Sequence, residues 1–187
     1  MSDAAAAANP GIFVRLRHAS LAWQGAAVIL GTAVLALSSY IEVPMIPVPM
    51  TMQTLAVTVI GALYGWRLGA FTVVVWLIEG AVGLPVLAGG AGGLWHFAGP
   101  TAGYLVSFPL SAALVGWLAE HGWNGRRIVL AFAAMLLGNA LCLVLGAAWL
   151  AVLVGVPKAM LAGVMPFALG GIVKSALGAA MLKAADR

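Results

Sequence analysis

Long stretches without a charged residue are the feature that most constrains the fold of this chain. Residues 18–41, 43–66 and 128–155 contain no Asp, Glu, Lys or Arg. A helix of about 20 apolar residues is long enough to cross the hydrocarbon core of a bilayer. Only 7% of the 187 residues are charged and 64% are hydrophobic, whereas soluble domains carry about 25% charged residues. The sequence therefore predicts an integral membrane protein and excludes an ordinary soluble domain.

We predict an all-α fold with six transmembrane helices. Pro44, Pro47 and Pro49 prevent the second helix from starting before about residue 50, because proline interrupts a helix interior. Five glycines among the sixteen residues of segment 85–100 disfavour a helix there. Residues 1–19 are expected to form a cytoplasmic tail, and residues 20–187 the membrane domain. The six helices are expected within residues 18–41, 51–66, 68–84, 101–119, 128–155 and 166–185.

The basic residues predict the orientation of these helices. With six spans, seven Lys and Arg residues fall on one face and Lys158 alone falls on the other. Cytoplasmic loops carry an excess of Lys and Arg, so both termini are expected in the cytoplasm and the protein in the cell membrane. Segment 85–100 is then an extracytoplasmic, glycine-rich loop between helices three and four. The seven residues are Arg15, Arg17, Arg67, Arg126, Arg127, Lys183 and Arg187.

Two ionisable residues, Glu79 and Lys174, fall inside predicted helices. A charged side chain at the centre of a membrane helix costs roughly 2.5–3.5 kcal/mol on insertion scales. At about 1.5 Å rise per residue, both lie about 12 Å from the outer face, so they are able to pair. One interpretation is a polar site in which the Lys174 ammonium meets a substrate carboxylate. The alternative is a purely structural Glu–Lys pair.

The loop 85–100 is the second unusual feature. Long loops without secondary structure are usually functional or disordered, and disorder suits polar sequences, whereas this loop is apolar and aromatic. Glycines such as Gly90 and Gly93 allow the backbone to approach a ligand closely, and Trp95 and Phe97 supply flat faces for a ring. We expect a lid over an outward-facing pocket. A re-entrant loop that only packs against the helices is the alternative.

Small residues recur at four-residue spacing in the first helix, at Ala22 and Ala26 and again at Ala27 and Gly31. Such a face allows another helix to approach closely. In an alanine-rich chain the pattern fits packing within the protein as well as docking of another subunit.

The sequence lacks the motifs of catalysis, metal binding and nucleic-acid binding. Residues 170–175 do not form a phosphate-binding loop, because no glycine directly precedes Lys174. Cys142 is the only cysteine and the three histidines are far apart, so no zinc cluster is expected. The net charge of +4 comes from scattered residues rather than from a basic patch. We expect no enzyme activity, no cofactor and no nucleic-acid partner.

Three segments resemble the signatures of a known family. The first is PVPMTMQTL at 47–55, and the second combines GLPV at 83–86, GGAGG at 89–93 and GPTAGYL at 99–105. The third runs from Pro166 and Phe167 to Gly170 and Lys174. In this order and spacing they resemble BioY, the biotin-binding S component of energy-coupling factor (ECF) transporters. The third segment has Gly171 where the family commonly carries Asp.

This resemblance implies a membrane-embedded subunit that captures biotin from outside with high affinity. It also implies separate partners for ATP-driven import, namely a transmembrane coupling (T) subunit and two ATPase subunits; self-association stays open. Lys174 is the candidate for the biotin carboxylate. The other candidate residues are Gln53, Thr51, Asn139 and Glu79 for the ureido group, Gly90 and Gly93 for close backbone approach, Trp95, Phe97 and Tyr104 for the walls, and Ala22 and Ala26 for docking of the partner.

Two other functions stay open from the residues alone. One is a stand-alone secondary transporter of a small carboxylated vitamin, with proton coupling through Glu79. The other is a structural or anchoring membrane protein without a ligand, in which loop 85–100 has only a packing role.

Overall fold

Five long helices make up most of the structure. The computed structural model describes residues 19–186. In that part of the chain, five helices are long and apolar enough to cross a membrane, which confirms the prediction of a helical membrane fold. The helices are α1 (Leu21–Tyr40), α2 (Gln53–Ala81), α3 (Ala102–Glu120), α4 (Ile128–Val154) and α5 (Val156–Ala185).

Two non-helical connections lie at the same end of the molecule. The outer hairpin joins α1 to α2 through strands β1 (Glu42–Val43) and β2 (Met50–Thr51), which pair antiparallel. The cap segment (residues 85–100) joins α2 to α3 and contains two short 3₁₀ turns, Ala88–Gly90 and Leu94–Phe97. Gly89 and Gly93 adopt positive φ angles there, a backbone conformation that glycine adopts without steric cost.

Helix α2 folds back on itself at Gly65. This residue has φ 80° and ψ 171°, which are not helical values. A Cβ atom placed on Gly69 would lie 2.8 Å from the Cα of Gly61, whereas eight residues of a straight helix span about 12 Å. Residues 53–64 (the first arm) and residues 66–81 (the second arm) therefore run in opposite directions and touch through glycine.

Helix α5 begins earlier than the sequence predicts. We expected a loop over 156–165 and a helix from Pro166, but the helix starts at Val156 and passes through a π-helical turn, Met160–Val164. Pro157 and Pro166 both lie in the first turn of a helical segment, where proline is tolerated. Because Pro166 has no N–H and its ring crowds the preceding turn, the wider π turn accommodates it without ending the helix.

Buried apolar side chains hold the helices together. Trp76 and Leu150 belong to a cluster near the outer hairpin, and Val115 and Met135 to a cluster near the opposite end. Gly116 of α3 packs directly on the backbone at Gly65, so the fold-back of α2 rests against α3. The outer faces of α1 and α5 are exposed and apolar, which suits contact with lipid or with a partner helix.

The end opposite the outer hairpin carries most of the described basic residues. The backbone N–H of Trp66, at the fold-back, donates to Glu120 Oε1 at the end of α3. Arg67, Arg126 and Lys183 lie at this end, and Lys158 lies near the start of α5, at the other end. Arg15, Arg17 and Arg187 lie outside the described residues, as does the predicted tail apart from Ala19.

Candidate functional site

A cavity of about 530 Å³ lies beneath the outer hairpin and the cap segment. Its volume is within the range of about 300–1,000 Å³ that is usual for small-molecule sites. The walls come from the outer hairpin, the start of α2, the cap segment, α3, α4 and α5, and a few polar groups interrupt a mostly apolar lining. The apolar wall residues include Val48, Leu87, Leu105, Phe108, Leu143 and Phe167.

Lys174 brings a positive charge to the wall of this cavity. Its side chain is buried, and its Nζ donates to the carbonyl oxygen of Thr51 at 2.6 Å and to Thr54 Oγ1 at 3.2 Å. An ammonium group has three N–H donors, so one remains for another acceptor. Among the described residues, no carboxylate forms an ion pair with Lys174. Because a buried charge is costly without a counter-charge, the site favours an anionic ligand.

Gln53 extends the polar cluster around Lys174. Thr51 Oγ1 donates to Gln53 Oε1 at 2.8 Å, and the backbone N–H of Gln53 donates to Thr51 Oγ1 at 3.3 Å. Gln53 is 4% exposed and lines the cavity, and its Nε2 is enclosed without an acceptor among the described residues. One buried amide donor therefore remains unsatisfied next to the ammonium.

A second polar group in the cavity wall is the side chain of Asn139 on α4, which contacts α5. Asn139 Nδ2 donates to the carbonyl oxygen of Met135 at 3.0 Å and to Ser175 Oγ at 3.1 Å. Ser175 in turn donates to the carbonyl oxygen of Gly171 at 2.7 Å. Asn139 and Gly171 both line the cavity, so this chain of hydrogen bonds ties α4 to α5 at the site.

Aromatic side chains form part of the walls. Tyr104 stacks on Phe167 with ring centroids 5.9 Å apart, and its hydroxyl donates to the carbonyl oxygen of Gly163 at 3.0 Å. In the cap segment, the rings of Trp95 and His96 lie against each other with centroids 3.4 Å apart. Burial lowers the pKa of His96 below its ordinary value of 6.5, so its imidazole is neutral at pH 7. These rings give flat apolar surfaces on two sides of the cavity.

Hydrogen bonds from three helices anchor the cap segment at both ends. Ser39 Oγ and Trp76 Nε1 donate to the carbonyl oxygen of Val86 at 2.9 and 3.0 Å. Tyr40 donates to the carbonyl oxygen of Pro85. Trp149 Nε1 donates to the carbonyl oxygen of Gly99 at 2.9 Å. The cap segment is therefore attached to the membrane helices on either side of its aromatic residues.

Six of the ten residues that the sequence predicts for the site line the cavity, and their roles in binding stay predictions. Four others lie elsewhere. Phe97 packs against the buried core, Gly90 packs against the ring of Tyr40, and the N–H of Gly93 donates to the carbonyl oxygen of Gly80 at 2.7 Å. The fourth is Glu79. The six cavity residues are Lys174, Gln53, Thr51, Trp95, Tyr104 and Asn139.

Glu79 does not form the ion pair with Lys174 that its depth permits, although both residues are described. It lies on the second arm of α2, outside the cavity lining, whereas Lys174 contacts Thr54 of the first arm. A similar depth in the membrane does not determine which helix faces a residue points towards. Lys174 instead donates to the carbonyl oxygen of Thr51, where the sequence led us to expect the carboxylate of Glu79. Ala22 and Ala26 are exposed on α1.

The structure adds residues to the site that the sequence did not single out. Thr54 contacts Lys174 and Ser175 contacts Asn139, and Phe108 and Phe167 line the cavity. Hydroxyl residues in helices usually bond to their own backbone, so neither Thr54 nor Ser175 carries a distinctive signal. Other indications were available, because Thr54 and Phe167 lie in the signature segments and Ser175 directly follows the intramembrane lysine.

The family comparison gives one match over nearly the whole chain. The model of the BioY family matches residues 13–187. A solved structure, the S-component for biotin from an ECF-type ABC transporter at 2.1 Å, superposes with a TM-score of 0.75 at 24% identity, covering 87% of this chain and 90% of that chain. At this identity the superposition shows a shared fold.

Curated relatives match shorter parts of the chain. The biotin transporter BioY of Rhizobium etli is 44% identical over 108 residues, which are 55% of this chain and 58% of that protein. BioY of Rhodobacter capsulatus is 46% identical over 97 residues, 49% of each chain. BioY2 of Lactococcus lactis is 34% identical over 118 residues, 63% of this chain and 64% of that protein. The chain thus spans about half to just under two thirds of the length of these relatives.

Proposed function

This chain belongs to the BioY family, a family of transporter components rather than enzymes, and from that membership we propose that it captures biotin in the cavity. The observation that carries the proposal is the buried ammonium of Lys174, which lines the cavity with one N–H donor unused. Biotin has one carboxylate, which fits this unbalanced positive charge.

The remaining chemistry of biotin suits the other walls. Its thiophane ring and aliphatic chain are apolar, and the cavity offers Tyr104, Phe108 and Phe167 as apolar surface. Its ureido group is polar and uncharged, and Asn139 on α4 supplies a polar uncharged partner for it. Thr51 and Gln53 belong to the hydrogen-bonded cluster around Lys174, so they suit the carboxylate end of the ligand. A mostly apolar cavity with a few placed polar groups is the usual form of a small-molecule site. The cap segment covers the ligand from the outer side.

We further propose that the protein is the substrate-capture subunit of a larger importer in the cell membrane. As the family resemblance implies, a transmembrane coupling subunit and two ATPase subunits would drive import. The lack of a phosphate-binding loop in this sequence agrees with that division. Ala22 and Ala26 are exposed on α1 and leave room for close approach of a partner helix. The two antiparallel arms of α2 supply two spans, which gives six in total with both termini on the cytoplasmic side.

Thermal stability of the purified protein in detergent tests the ligand directly. A ligand that binds only the folded state raises the melting temperature in a concentration-dependent way. Biotin and desthiobiotin are expected to raise it, because both have a carboxylate and a ureido group, whereas thiamine and riboflavin lack the carboxylate and are expected to have no effect. A rise with thiamine or riboflavin but not with biotin would contradict the proposed function.

A further inference from the structure

Among the described residues, both N–H donors of the Asn139 side-chain amide are bonded and its oxygen is not. Its Nδ2 donates to the carbonyl oxygen of Met135 and to Ser175 Oγ, and these two bonds use both N–H groups of the amide. Its Oδ1 accepts no hydrogen bond from the described residues. Asn139 is 8% exposed and lines the cavity. The side-chain oxygen is therefore the atom of this amide that is left for a ligand.

Ser175 fixes this orientation of the amide. Its side chain is fully buried, and its hydroxyl proton is used in the 2.7 Å bond to the carbonyl oxygen of Gly171. A hydroxyl has one proton and two acceptor lone pairs, so Ser175 meets Asn139 only as an acceptor. The carbonyl oxygen of Met135 is also only an acceptor. Rotating the amide by 180° would place Oδ1 next to the Met135 carbonyl oxygen and Ser175 Oγ, neither of which can donate to it. Nδ2 therefore faces these two oxygens.

We propose that Ser175 is a positioning residue that holds the amide of Asn139 so that Oδ1 accepts a hydrogen bond from an N–H group of the ligand. The inference rests on the proposed function, because the ureido ring of biotin carries two N–H donors. Gly171 leaves space next to this acceptor, since a Cβ atom there would meet only the Cβ of Asn139, at 3.8 Å. The Asn139 and Ser175 pair thus selects ligands that bring an N–H donor to this wall.

A double-mutant cycle on biotin affinity tests the inference. Asn139→Leu removes the acceptor and is expected to weaken binding roughly ten- to a hundredfold. Ser175→Ala frees the amide to turn and is expected to weaken binding about five- to tenfold. Because Ser175 acts through Asn139, the double variant is expected to bind no more weakly than Asn139→Leu alone.

Ser111→Ala is the matched control. Ser111 is also a fully buried serine of a membrane helix, but it does not line the cavity and its Oγ has no partner among the described residues. Its replacement is expected to leave biotin affinity unchanged. Melting temperatures without ligand check that each variant folds. If Ser175→Ala does not fold, Ser175→Cys replaces it, because a thiol fills the site but is a much weaker hydrogen-bond acceptor than a hydroxyl.

The outcomes separate this inference from the proposed function. Wild-type affinity in Asn139→Leu, or losses that add in the double variant, would overturn the inference while leaving biotin as the ligand. A wild-type protein that does not bind biotin would overturn the proposed function, and the inference would fall with it.

Discussion

The ammonium of Lys174 lies 2.6 Å from the carbonyl oxygen of Thr51, although the two residues are 123 positions apart in the chain. This bond ties α5 to the outer hairpin at the wall of the cavity. The partner is a neutral backbone oxygen rather than a carboxylate, so the positive charge is held in place without being balanced. The same contact that orients the lysine therefore keeps it available for an anion.

The open space next to Gly171 predicts that a larger side chain at this position would occupy part of the cavity and weaken ligand binding. Gly171→Leu would place a branched side chain in the cavity next to Asn139, where a Cβ atom has only one neighbour. Biotin affinity is expected to fall at least tenfold, while the ligand-free melting temperature stays the same or rises because leucine favours helix more than glycine does. Binding isotherms and melting curves measure the two effects. Gly171→Ala serves as the control, and equal loss in both variants would contradict a volume effect.

The anchoring of the cap segment predicts an effect on ligand release. Tyr40→Phe removes only the hydroxyl that donates to the carbonyl oxygen of Pro85, so the cap segment is expected to open more readily. The rate of biotin dissociation is expected to rise by about two- to tenfold, the equivalent of one hydrogen bond. Tyr64→Phe is the matched control, since it removes a similar bond, to the carbonyl oxygen of Ala27, away from the cap segment. Equal rates in both variants would contradict the anchoring role.

Much of the architecture was predictable because the membrane restricts the options. Charge-free stretches locate the helices, and the charges at Arg67 and Arg126 mark the turns between them. The fold-back at Gly65 needs only one residue, so Arg67 indicated its place within two positions. The continuation of α5 across 156–165 was not predictable, because two prolines normally indicate a break and the π turn that accommodates one of them has no sequence signature.

The site was only partly predictable, for a different reason. Lys174 was conspicuous because a charged residue inside a span is rare. Its partners Thr51 and Thr54 depend on how α5 packs against the first arm, and the depth of a residue does not give that packing. Phe97 and Gly93 lie in the expected loop but not in the lining of the cavity, since Phe97 packs against the buried core and the N–H of Gly93 donates to the carbonyl oxygen of Gly80.

Burial of His96 predicts a pH-dependent stability. Because the pKa of His96 is lowered in the folded protein, the unfolded chain binds a proton at a higher pH than the folded one. The stabilisation is therefore present above about pH 6.5, the ordinary histidine value, and is lost as the pH falls below it. Melting temperatures at about pH 7.5 and pH 5.5 measure this loss, and His96→Gln is expected to reduce the difference. The same pH dependence in His96→Gln would contradict this account.

The exposed small residues of α1 predict that a bulky substitution there impairs transport without weakening biotin binding. Ala26→Leu adds bulk next to Gly25, which has open space around it, and would prevent the close approach of a partner helix. Biotin binding by the isolated protein is expected to be unchanged, whereas co-purification with the proposed coupling and ATPase subunits, and ATP-driven uptake, are expected to fall. Ala176→Leu, an exposed position on α5, is the control. Normal uptake with Ala26→Leu would rule out docking through this face.

The central claim is that the charge of Lys174 recognises the carboxylate of biotin, and a cycle of two proteins and two ligands tests it most directly. The wild type and Lys174→Met are each titrated with biotin and with biotinamide, in which a neutral amide replaces the carboxylate. Lys158→Met is the control, because Lys158 is exposed. The account predicts that the wild type and the control bind biotin more tightly than biotinamide. Lys174→Met is expected to lose about 2–5 kcal/mol of the free energy of biotin binding and to bind the two ligands equally. A wild type that binds both ligands equally, or a Lys174→Met variant that keeps the preference for biotin, would contradict it.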